Sequence, residues 1–462
     1  MKKRPNIILV MTDQQRWDTV ASYGWRNIIT PNLDQLAGEG LAFLNAYAQA
    51  TVCGPSRNSV VSSKYVHAHG IERNERWLPA SEPNWIEILR DSGYRTANLG
   101  KMHTSPLRLP CGFDYRLVVE NKNYEQGKMG PPDDYDLYLK DHDLERPAQR
   151  YFETIENWYD NLGAAVWPYD EELFPDNYIG RRSCQYIEQY DFNDPLFMWV
   201  GFAGPHDPYD VPLSALDQYR EIDLPEPVSS PKEIETKPPE HAEVMRRMDG
   251  RAGHAAIWWS RATPERIQRM RRHYCANISL IDDWVGELRH SLNRASQSEN
   301  TIVLFTSDHG DCLGDHNLVY KFWAHYDSIV KVPLIFAGGP VRSDQPVDDL
   351  VEMIDIGPTV LELAGVTADS RLQGTSLVPL LTDAAASGKE NVFSEQGHRL
   401  MIRTDEWKMV YYAGKPYGEL YNMIQDPDEL DNMYANPTYA VRRAELTTRL
   451  LDWYSDTRFR RS

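Results

Sequence analysis

Alternate Cys, Pro and Arg residues make Cys53-Gly54-Pro55-Ser56-Arg57 the short motif with the clearest chemical potential. Pro55 is typical of the first turn of a helix, and the N–H groups at a helix N-terminus favour thiolates and bound anions. Arg57 would lie one turn into that helix, where a guanidinium can hold an anion through two parallel hydrogen bonds. Taken alone, the motif leaves a buried structural cysteine equally open.

Polar side chains also follow four apolar runs that are typical of buried strands. The runs are residues 6–11, 95–99, 196–202 and 301–306. The polar groups after them are Asp13-Gln14, Lys101 with His103, Pro205-His206-Asp207, and Ser307-Asp308-His309-Gly310-Asp311. Reactive groups collect at the carboxyl ends of the strands in an open α/β sheet, so we expect these side chains to converge. One carboxylate after a strand is usually a helix cap, but four such strand ends together are difficult to explain in that way.

The elements that must position these groups alternate between strands and helices. A further apolar run at residues 332–337 predicts another strand, and apolar residues spaced by three and four predict a long helix from Pro264 to about Asn293. This alternation predicts an α/β fold, with a large, mixed and mostly parallel sheet sandwiched by helices.

Two stretches interrupt the alternation. Residues 223–241 contain five prolines and no apolar period, which indicates an excursion outside the core. After the linker at residues 384–388, residues 400–404 and 407–412 alternate like two antiparallel strands. We therefore predict a catalytic domain at residues 1–385 and a small C-terminal α+β subdomain with an antiparallel sheet at residues 386–462.

Composition and charge exclude several classes of partner. With 49 Lys and Arg against 68 Asp and Glu, the formal net charge of −19 disfavours nucleic acid and anionic membranes. The five cysteines are far apart and include no Cys-x-x-Cys pair, so neither a disulfide framework nor a zinc ribbon is expected. No apolar run approaches the roughly 18–20 residues of a membrane span. We expect a cytoplasmic protein if Met1 is the native start, and a periplasmic or secreted one if a leader was removed.

In this order and context, the motifs resemble those of the type I sulfatases of the alkaline phosphatase superfamily. The resemblance rests on Cys-x-Pro-x-Arg, Asp13 after the first strand and the downstream Ser-Asp-His-Gly. It continues through segments along the chain: Pro31-Asn32-Leu33-Asp34, His69-Gly70, Gly314-Asp315-His316, Lys331-Val332-Pro333-Leu334, Gly374-Thr375-Ser376-Leu377 and Glu419-Leu420-Tyr421-Asn422. It implies an alkaline phosphatase-like fold and hydrolysis of a sulfate monoester, with a sugar sulfate expected as the substrate.

The resemblance also implies a role for each matching residue. A maturation enzyme would convert Cys53 to Cα-formylglycine, whose hydrate attacks sulfur and later expels sulfate. Asp13, Gln14, Asp308 and His309, with position 53, would bind one divalent cation, Ca²⁺ first and Mn²⁺ or Mg²⁺ as alternatives. Arg57, Lys101 and Lys321 would bind the sulfate and stabilise formylglycine. His103 and His206 would transfer protons, with His206 and Lys321 near the leaving-group oxygen.

Departures from the usual family pattern keep one rival open. Gln14 and His309 stand where many members have Asp and Asn, and Val61-Ser62-Ser63-Lys64 replaces the familiar Leu-Thr-Gly-Arg. The pairs at 13–14 and 308–309 suit a phosphonate monoester or phosphodiester hydrolase of the same superfamily equally well. A phosphatase or phosphomutase would need Ser or Thr at position 53 and a richer two-metal ligand set. A non-enzymatic binder is disfavoured because such a protein rarely keeps so many costly buried charges. Trp258, Trp259, Trp323, Tyr209 and Arg73 are candidates for lining the substrate pocket.

Overall fold

A computed structural model describes residues 3–122, 131–248 and 257–459. The strands are β1 (Asn6–Asp13), β2 (Leu41–Tyr47), β3 (Arg95–Gly100), β4 (Tyr115–Val118), β5 (Ala164–Val166), β6 (Leu196–Pro205), β7 (Tyr209–Val211), β8 (Thr301–Ser307), β9 (Lys331–Ala337), β10 (Val347–Glu352), β11 (Val392–Gln396), β12 (Arg399–Arg403), β13 (Trp407–Tyr412) and β14 (Gly418–Asn422). The α-helices are α1 (Pro31–Glu39), α2 (Cys53–Ser62), α3 (Val66–His69), α4 (Trp85–Asp91), α5 (Asp134–Lys140), α6 (Gln149–Phe152), α7 (Pro175–Gln189), α8 (Leu213–Asp217), α9 (Pro239–Arg247), α10 (Pro264–Arg294), α11 (Asp327–Val330), α12 (Ile356–Leu363), α13 (Val378–Thr382) and α14 (Ala440–Phe459). Short 3₁₀ helices occupy Trp158–Asn161, Glu171–Leu173, Glu233–Glu235, Trp259–Arg261, Ser298–Asn300, Asp315–Asn317, Met353–Asp355 and Pro437–Tyr439.

The main sheet has eight strands in the order β10-β2-β9-β8-β1-β6-β3-β4. Strands β8, β1, β6 and β3 are adjacent and mutually parallel, so their carboxyl ends reach the same edge. Strand β9 runs antiparallel to both of its neighbours, β2 and β8. The prediction of a mixed, mostly parallel sheet is confirmed, although the sequence did not indicate the reversal of β9.

Strand β1 shows why a continuous apolar run predicts a strand at the centre of such a sheet. Ile7, Leu9 and Met11 point into one core, and Ile8 and Val10 point into the core on the opposite face. Helices α2, α4 and α12 cover the first face, while α1, α7 and α10 cover the second. Both faces are therefore dry, as expected for parallel strands between helical layers.

Helix α10 confirms the predicted long helix, and the hydroxyl of Thr263 caps it by accepting a hydrogen bond from the N–H of Arg266. Among the described residues, no helix is both long and apolar enough to cross a bilayer.

The proline-rich stretch at residues 223–241 is only partly an excursion. It is mostly exposed, but it contains the turn Glu233–Glu235 and the start of α9. Glu233 and Lys237 within it are buried. Nζ of Lys237 donates to the carbonyl of Glu429 and to the hydroxyl of Tyr421. This stretch therefore packs against the C-terminal part of the chain.

The C-terminal part forms a second, antiparallel sheet in the order β11-β12-β13-β14. Helix α14 packs on it through Leu446, Leu450 and Trp453, which contact the apolar side chains of Ile402 and Met409. The predicted antiparallel pair corresponds to β12 and β13. The domain boundary at residues 385/386 stays a prediction.

Candidate active site

The carboxyl ends of β8, β1, β6 and β3 bring the predicted polar groups together at one edge of the sheet. Asp13 ends β1, Asp308 and His309 follow β8, His206 follows β6, and Lys101 and His103 follow β3. Ligand atoms of Asp13, Cys53, Asp308 and His309 all lie within 4.8 Å of one another, and all four residues are buried. The two carboxylates, 295 positions apart in the chain, are neighbours because β1 and β8 pair in parallel.

Helix α2 begins at Cys53, so its N-terminus faces this group of side chains. The hydroxyl of Ser56 fixes the helix start by donating to the carbonyl of Asp308 at 2.7 Å. Arg57, one turn further, is completely buried and bridges the two carboxylates. Its Nη2 lies 3.0 Å from Oδ2 of Asp13, and its Nε lies 2.8 Å from Oδ2 of Asp308. Arg57 therefore stabilises the carboxylate pair, and its predicted direct contact with sulfate stays a prediction.

Lys101 reaches the same carboxylate from β3. Its Nζ lies 2.9 Å from Oδ2 of Asp13 and donates to Oδ1 of Asn121 at 2.7 Å. Burial by itself would raise the pKa of Asp13, but the charges of Lys101 and Arg57 hold that pKa well below its usual range. Asp13 is therefore ionised despite complete burial.

Lys321 connects position 53 with His206. Its Nζ lies 3.1 Å from Sγ of Cys53 and 2.9 Å from Nε2 of His206, and it donates to Oε1 of Gln14 at 2.6 Å. The other ring nitrogen of His206, Nδ1, lies 2.7 Å from the carbonyl oxygen of Asp207. Nδ1 therefore carries the proton, and Nε2 accepts the hydrogen bond of the ammonium.

Sequence reasoning missed two polar residues that follow β4. Oε1 of Glu120 lies 3.1 Å from Nδ1 of His103, and Asn121 accepts the hydrogen bond of Lys101 described above. Burial lowers the pKa of His103 well below its usual value and raises that of Glu120 to about 7. The apolar run Leu117-Val118-Val119 directly before Glu120 was the available signal, since it is a fifth strand end of the predicted kind.

The donor set fits a divalent cation. Nδ1 of His309 lies 2.8 Å from the carbonyl oxygen of Gly310, so Nδ1 carries the proton and the lone pair of Nε2 points toward Cys53 at 3.1 Å. Burial lowers the pKa of His309 to about 4, which keeps the ring neutral. Two carboxylates, an amide oxygen and a neutral imidazole are suitable ligands for Ca²⁺, Mn²⁺ or Mg²⁺.

Cys53 lies on the floor of a cleft of about 750 Å³. Burial, together with the charge of Asp13, raises the pKa of its thiol to about 12. The cleft is also lined by Lys101, His103, His206, Lys321, Arg73 and Trp323, and by Gln396, Gly397, His398 and Arg399 of the β11–β12 turn. Arg399 lies over the ring of Trp323 at 5.0 Å. Among the aromatic candidates, Tyr209 is buried and donates to Asp311, and none of Tyr209, Trp258 and Trp259 lines the cleft.

Two family models match the chain. The model described as "Sulfatase" matches residues 5–366, and one described as "N-sulphoglucosamine sulphohydrolase, C-terminal" matches residues 314–456. These matches cover both the main sheet and the C-terminal antiparallel sheet.

Individual proteins are similar along nearly their whole length. An arylsulfatase of Clostridium perfringens is 28% identical over 455 residues, covering 95% of this chain and 92% of that protein. An N-acetylglucosamine-6-O-sulfatase of Bacteroides thetaiotaomicron is 27% identical over 495 residues, covering 96% and 85%. The solved structure of the phosphonate monoester hydrolase of Agrobacterium radiobacter superposes with a TM-score of 0.82 at 23% identity, covering 98% of this chain and 96% of that one. At this identity the structural likeness shows the fold alone, and it confirms the predicted fold class.

Proposed function

The chain belongs to the sulfatase family, and we propose that it hydrolyses the sulfate monoester of a small sugar to the alcohol and inorganic sulfate. The observation that carries this proposal is the position of Cys53. It begins α2 at the floor of the cleft, with Lys321 at 3.1 Å and the carboxylate and imidazole donors within 4.8 Å. The similarity to an N-acetylglucosamine-6-O-sulfatase and the aromatic side chain of Trp323 in the cleft support a sugar.

The sulfatase family implies that a maturation enzyme converts Cys53 to formylglycine. The Sγ atom of Cys53 then stands for one oxygen of the formylglycine hydrate. One hydroxyl of the hydrate would attack sulfur and displace the alcohol, and the second would lose its proton, form the aldehyde C=O and expel sulfate from the first oxygen. Conversion gives this position a nucleophile that the buried thiol does not provide.

Different side chains around position 53 would carry out the two proton transfers, one to the leaving-group oxygen and one from the second hydroxyl of the hydrate. Lys321 and His206 form a hydrogen-bonded pair. This pair would donate a proton to the leaving-group oxygen, because Nζ of Lys321 lies only 3.1 Å from Sγ of Cys53. His103, next to Lys101 and Glu120, would accept a proton from the second hydroxyl. Lys101, Lys321 and Arg57 together offset the negative charge of the sulfate and of the two carboxylates.

Asp13, Gln14, Asp308 and His309, with the group at position 53, would hold one divalent cation, for which Ca²⁺ is the first choice. When bound, the cation would polarise a sulfate oxygen and lower the pKa of the attacking hydroxyl. The carboxylates of Asp13 and Asp308 supply two negative charges, which match one divalent ion.

We assign catalysis to a domain at residues 1–385 and an accessory role in substrate binding to residues 386–462. The support is the β11–β12 turn, whose His398 and Arg399 line the cleft beside Trp323. A substrate at position 53 would therefore meet side chains from both parts.

A second candidate is a phosphonate monoester or phosphodiester hydrolase. Gln14 and His309 in the proposed ligand set suit it equally well, and the Agrobacterium radiobacter phosphonate monoester hydrolase shares the fold. The test compares kcat/KM for an aryl sulfate, a phosphonate monoester and a phosphodiester that share the same aryl leaving group. We expect the sulfate to be the best of the three, and a large preference for either phosphorus ester would favour the rival.

The sugar is tested with a panel of sulfated mono- and disaccharides, with choline sulfate as a non-sugar control and released inorganic sulfate as the readout. We expect at least one sugar sulfate to exceed the aryl and choline esters in kcat/KM. A preference for choline sulfate over every sugar would contradict the proposed alcohol but not the sulfatase reaction.

A further inference from the structure

The side-chain amide of Gln14 lies between the ammonium of Lys321 on one side and the carboxylates of Asp207 and Asp311 on the other. Its Oε1 accepts a hydrogen bond from Nζ of Lys321 at 2.6 Å. Its Nε2 donates to Oδ2 of Asp311 at 2.5 Å and lies 3.4 Å from Oδ1 of Asp207. The reversed amide would place its oxygen against both carboxylates and its NH₂ group against the ammonium. Only one orientation therefore satisfies the hydrogen bonds.

The carboxylate of Asp311 receives hydrogen bonds from three groups. The hydroxyl of Tyr209 donates to Oδ2 at 2.8 Å, and the backbone N–H of Leu313 donates to Oδ1 at 2.8 Å. Nε2 of Gln14 is the third donor. Asp311 is completely buried, and each of these contacts uses it as an acceptor, as expected of a carboxylate held in a fixed position.

We propose that Asp311, assisted by Asp207, is a positioning residue that turns Oε1 of Gln14 toward the cation site. This inference rests on the proposed function, because Gln14 is a ligand only if that cation binds. The arrangement gives a physical reason for an amide at position 14. A carboxylate there would be a third acceptor facing Asp207 and Asp311.

Isosteric exchanges of donor and acceptor test the proposal. Asp311→Asn removes the acceptor that orients Gln14, and we expect the Kd for Ca²⁺ or Mn²⁺ to rise by about 10–100-fold. Gln14→Glu should also weaken binding, because its second oxygen faces two carboxylates. The double variant Gln14→Glu/Asp311→Asn restores a donor–acceptor pair with the same total charge, and should recover most of the affinity. A residue with a merely structural role would show no such recovery.

The measurement uses the matured full-length protein without substrate, in competition with a chromophoric chelator. The cation-induced rise in Tm is the second readout. Tyr209→Phe is the matched control, since it removes one donor to Asp311 but leaves the contact with Gln14. It should change the Kd by less than the roughly 10–100-fold expected for loss of the acceptor itself, because the contact with Gln14 remains.

Unchanged cation affinity in Asp311→Asn, or a double variant no better than Gln14→Glu alone, would overturn this proposal and leave the sulfatase reaction intact. If Asp311→Asn does not fold, Asp207→Asn takes its place with a smaller expected rise in Kd, and unchanged affinity there overturns the proposal. A wild-type protein that releases sulfate but binds no divalent cation would overturn both this proposal and the proposed cofactor.

Discussion

Nζ of Lys321 lies 3.1 Å from Sγ of Cys53, although 268 positions separate the two residues in the chain. Burial by itself would lower the pKa of Lys321, but the neighbouring Cys53, Asp13 and Asp207 raise it above its usual value. The amine is therefore a fixed ammonium next to the proposed nucleophile. In the proposed reaction it would lie where negative charge develops as the sulfate ester is cleaved.

Removing this ammonium should slow the reaction severely. We expect Lys321→Ala to lower kcat/KM by about 10²–10⁴-fold, as for other losses of transition-state charge stabilisation. Steady-state kinetics on an aryl sulfate provide the measurement. Lys232→Ala, in the exposed proline-rich stretch, is the control and should have little effect. Near-full activity of Lys321→Ala would exclude Lys321 from the leaving-group side.

Arg57 should matter for stability as well as for rate. Arg57→Ala leaves Asp13 and Asp308 buried without the guanidinium that bridges them. We expect it to destabilise the cation-free protein by about 3–5 kcal/mol, the usual cost of breaking a buried ion pair on one side. Urea unfolding in a chelator measures this loss. Arg90→Ala, which removes a half-exposed pair with Asp91, should cost about 1 kcal/mol or less.

Arg57→Ala should also lower kcat/KM by about 10²–10⁴-fold, as should Lys101→Ala.

Adding the divalent cation should recover part of the lost stability of Arg57→Ala, because a cation also offsets the two carboxylates. Equal stability of Arg57→Ala and the wild type in chelator would contradict the bridging role.

Chelation should abolish turnover and lower the Tm. A cation that binds only the folded state stabilises it by mass action, so its removal destabilises the protein. Asp308→Asn should reduce both the cation content by elemental analysis and the rate. Full activity after exhaustive chelation, in protein shown to contain no metal, would refute the cation site.

Acid should destabilise the fold through buried neutral histidines. Burial lowers the pKa of His69 to about 3, and its ring nitrogens lie 3.0 Å from the N–H of Ile71 and 2.9 Å from Oγ of Ser59. The unfolded state, with a pKa near 6.5, binds a proton that the folded state does not bind between about pH 6.5 and 3. The contribution is therefore complete above pH 6.5 and falls on acidification by up to about 1.4 kcal/mol per pH unit.

Urea unfolding at a series of pH values measures this slope. We expect His69→Gln to flatten it below pH 6.5 by about one bound proton. An identical slope in His69→Gln and the wild type would show that His69 does not titrate differently in the two states.

The sequence allowed the strand ends to be predicted because apolar runs identify buried parallel strands and the polar residues after them stand out. Asp13 and Asp308 could be expected to meet on that basis alone. The pairing partners of β9 were not readable, since a run such as residues 332–337 is equally apolar in either direction.

The residues around the predicted site were harder to find. Glu120 and Asn121 follow the short strand β4, whose first residues are half-buried, so the apolar run before them is only Leu117-Val118-Val119. Asp207 and Asp311 are among the polar residues that follow predicted strands, but nothing in the sequence links them to Gln14. Their contacts with Gln14 depend on how three strand ends are placed side by side, which no local pattern encodes.

The central claim, a formylglycine nucleophile that releases sulfate, is tested most directly by one paired measurement. Protein produced with graded amounts of the maturation enzyme is assayed for sulfate release. The mass of the peptide containing residue 53 is measured in each sample by mass spectrometry. Conversion of Cys53 should lower the peptide mass by about 18 Da, from elementary composition. We predict that the rate of sulfate release rises in proportion to the converted fraction and extrapolates to zero for the thiol form. Full sulfate release from protein whose Cys53 is wholly unmodified would contradict the account.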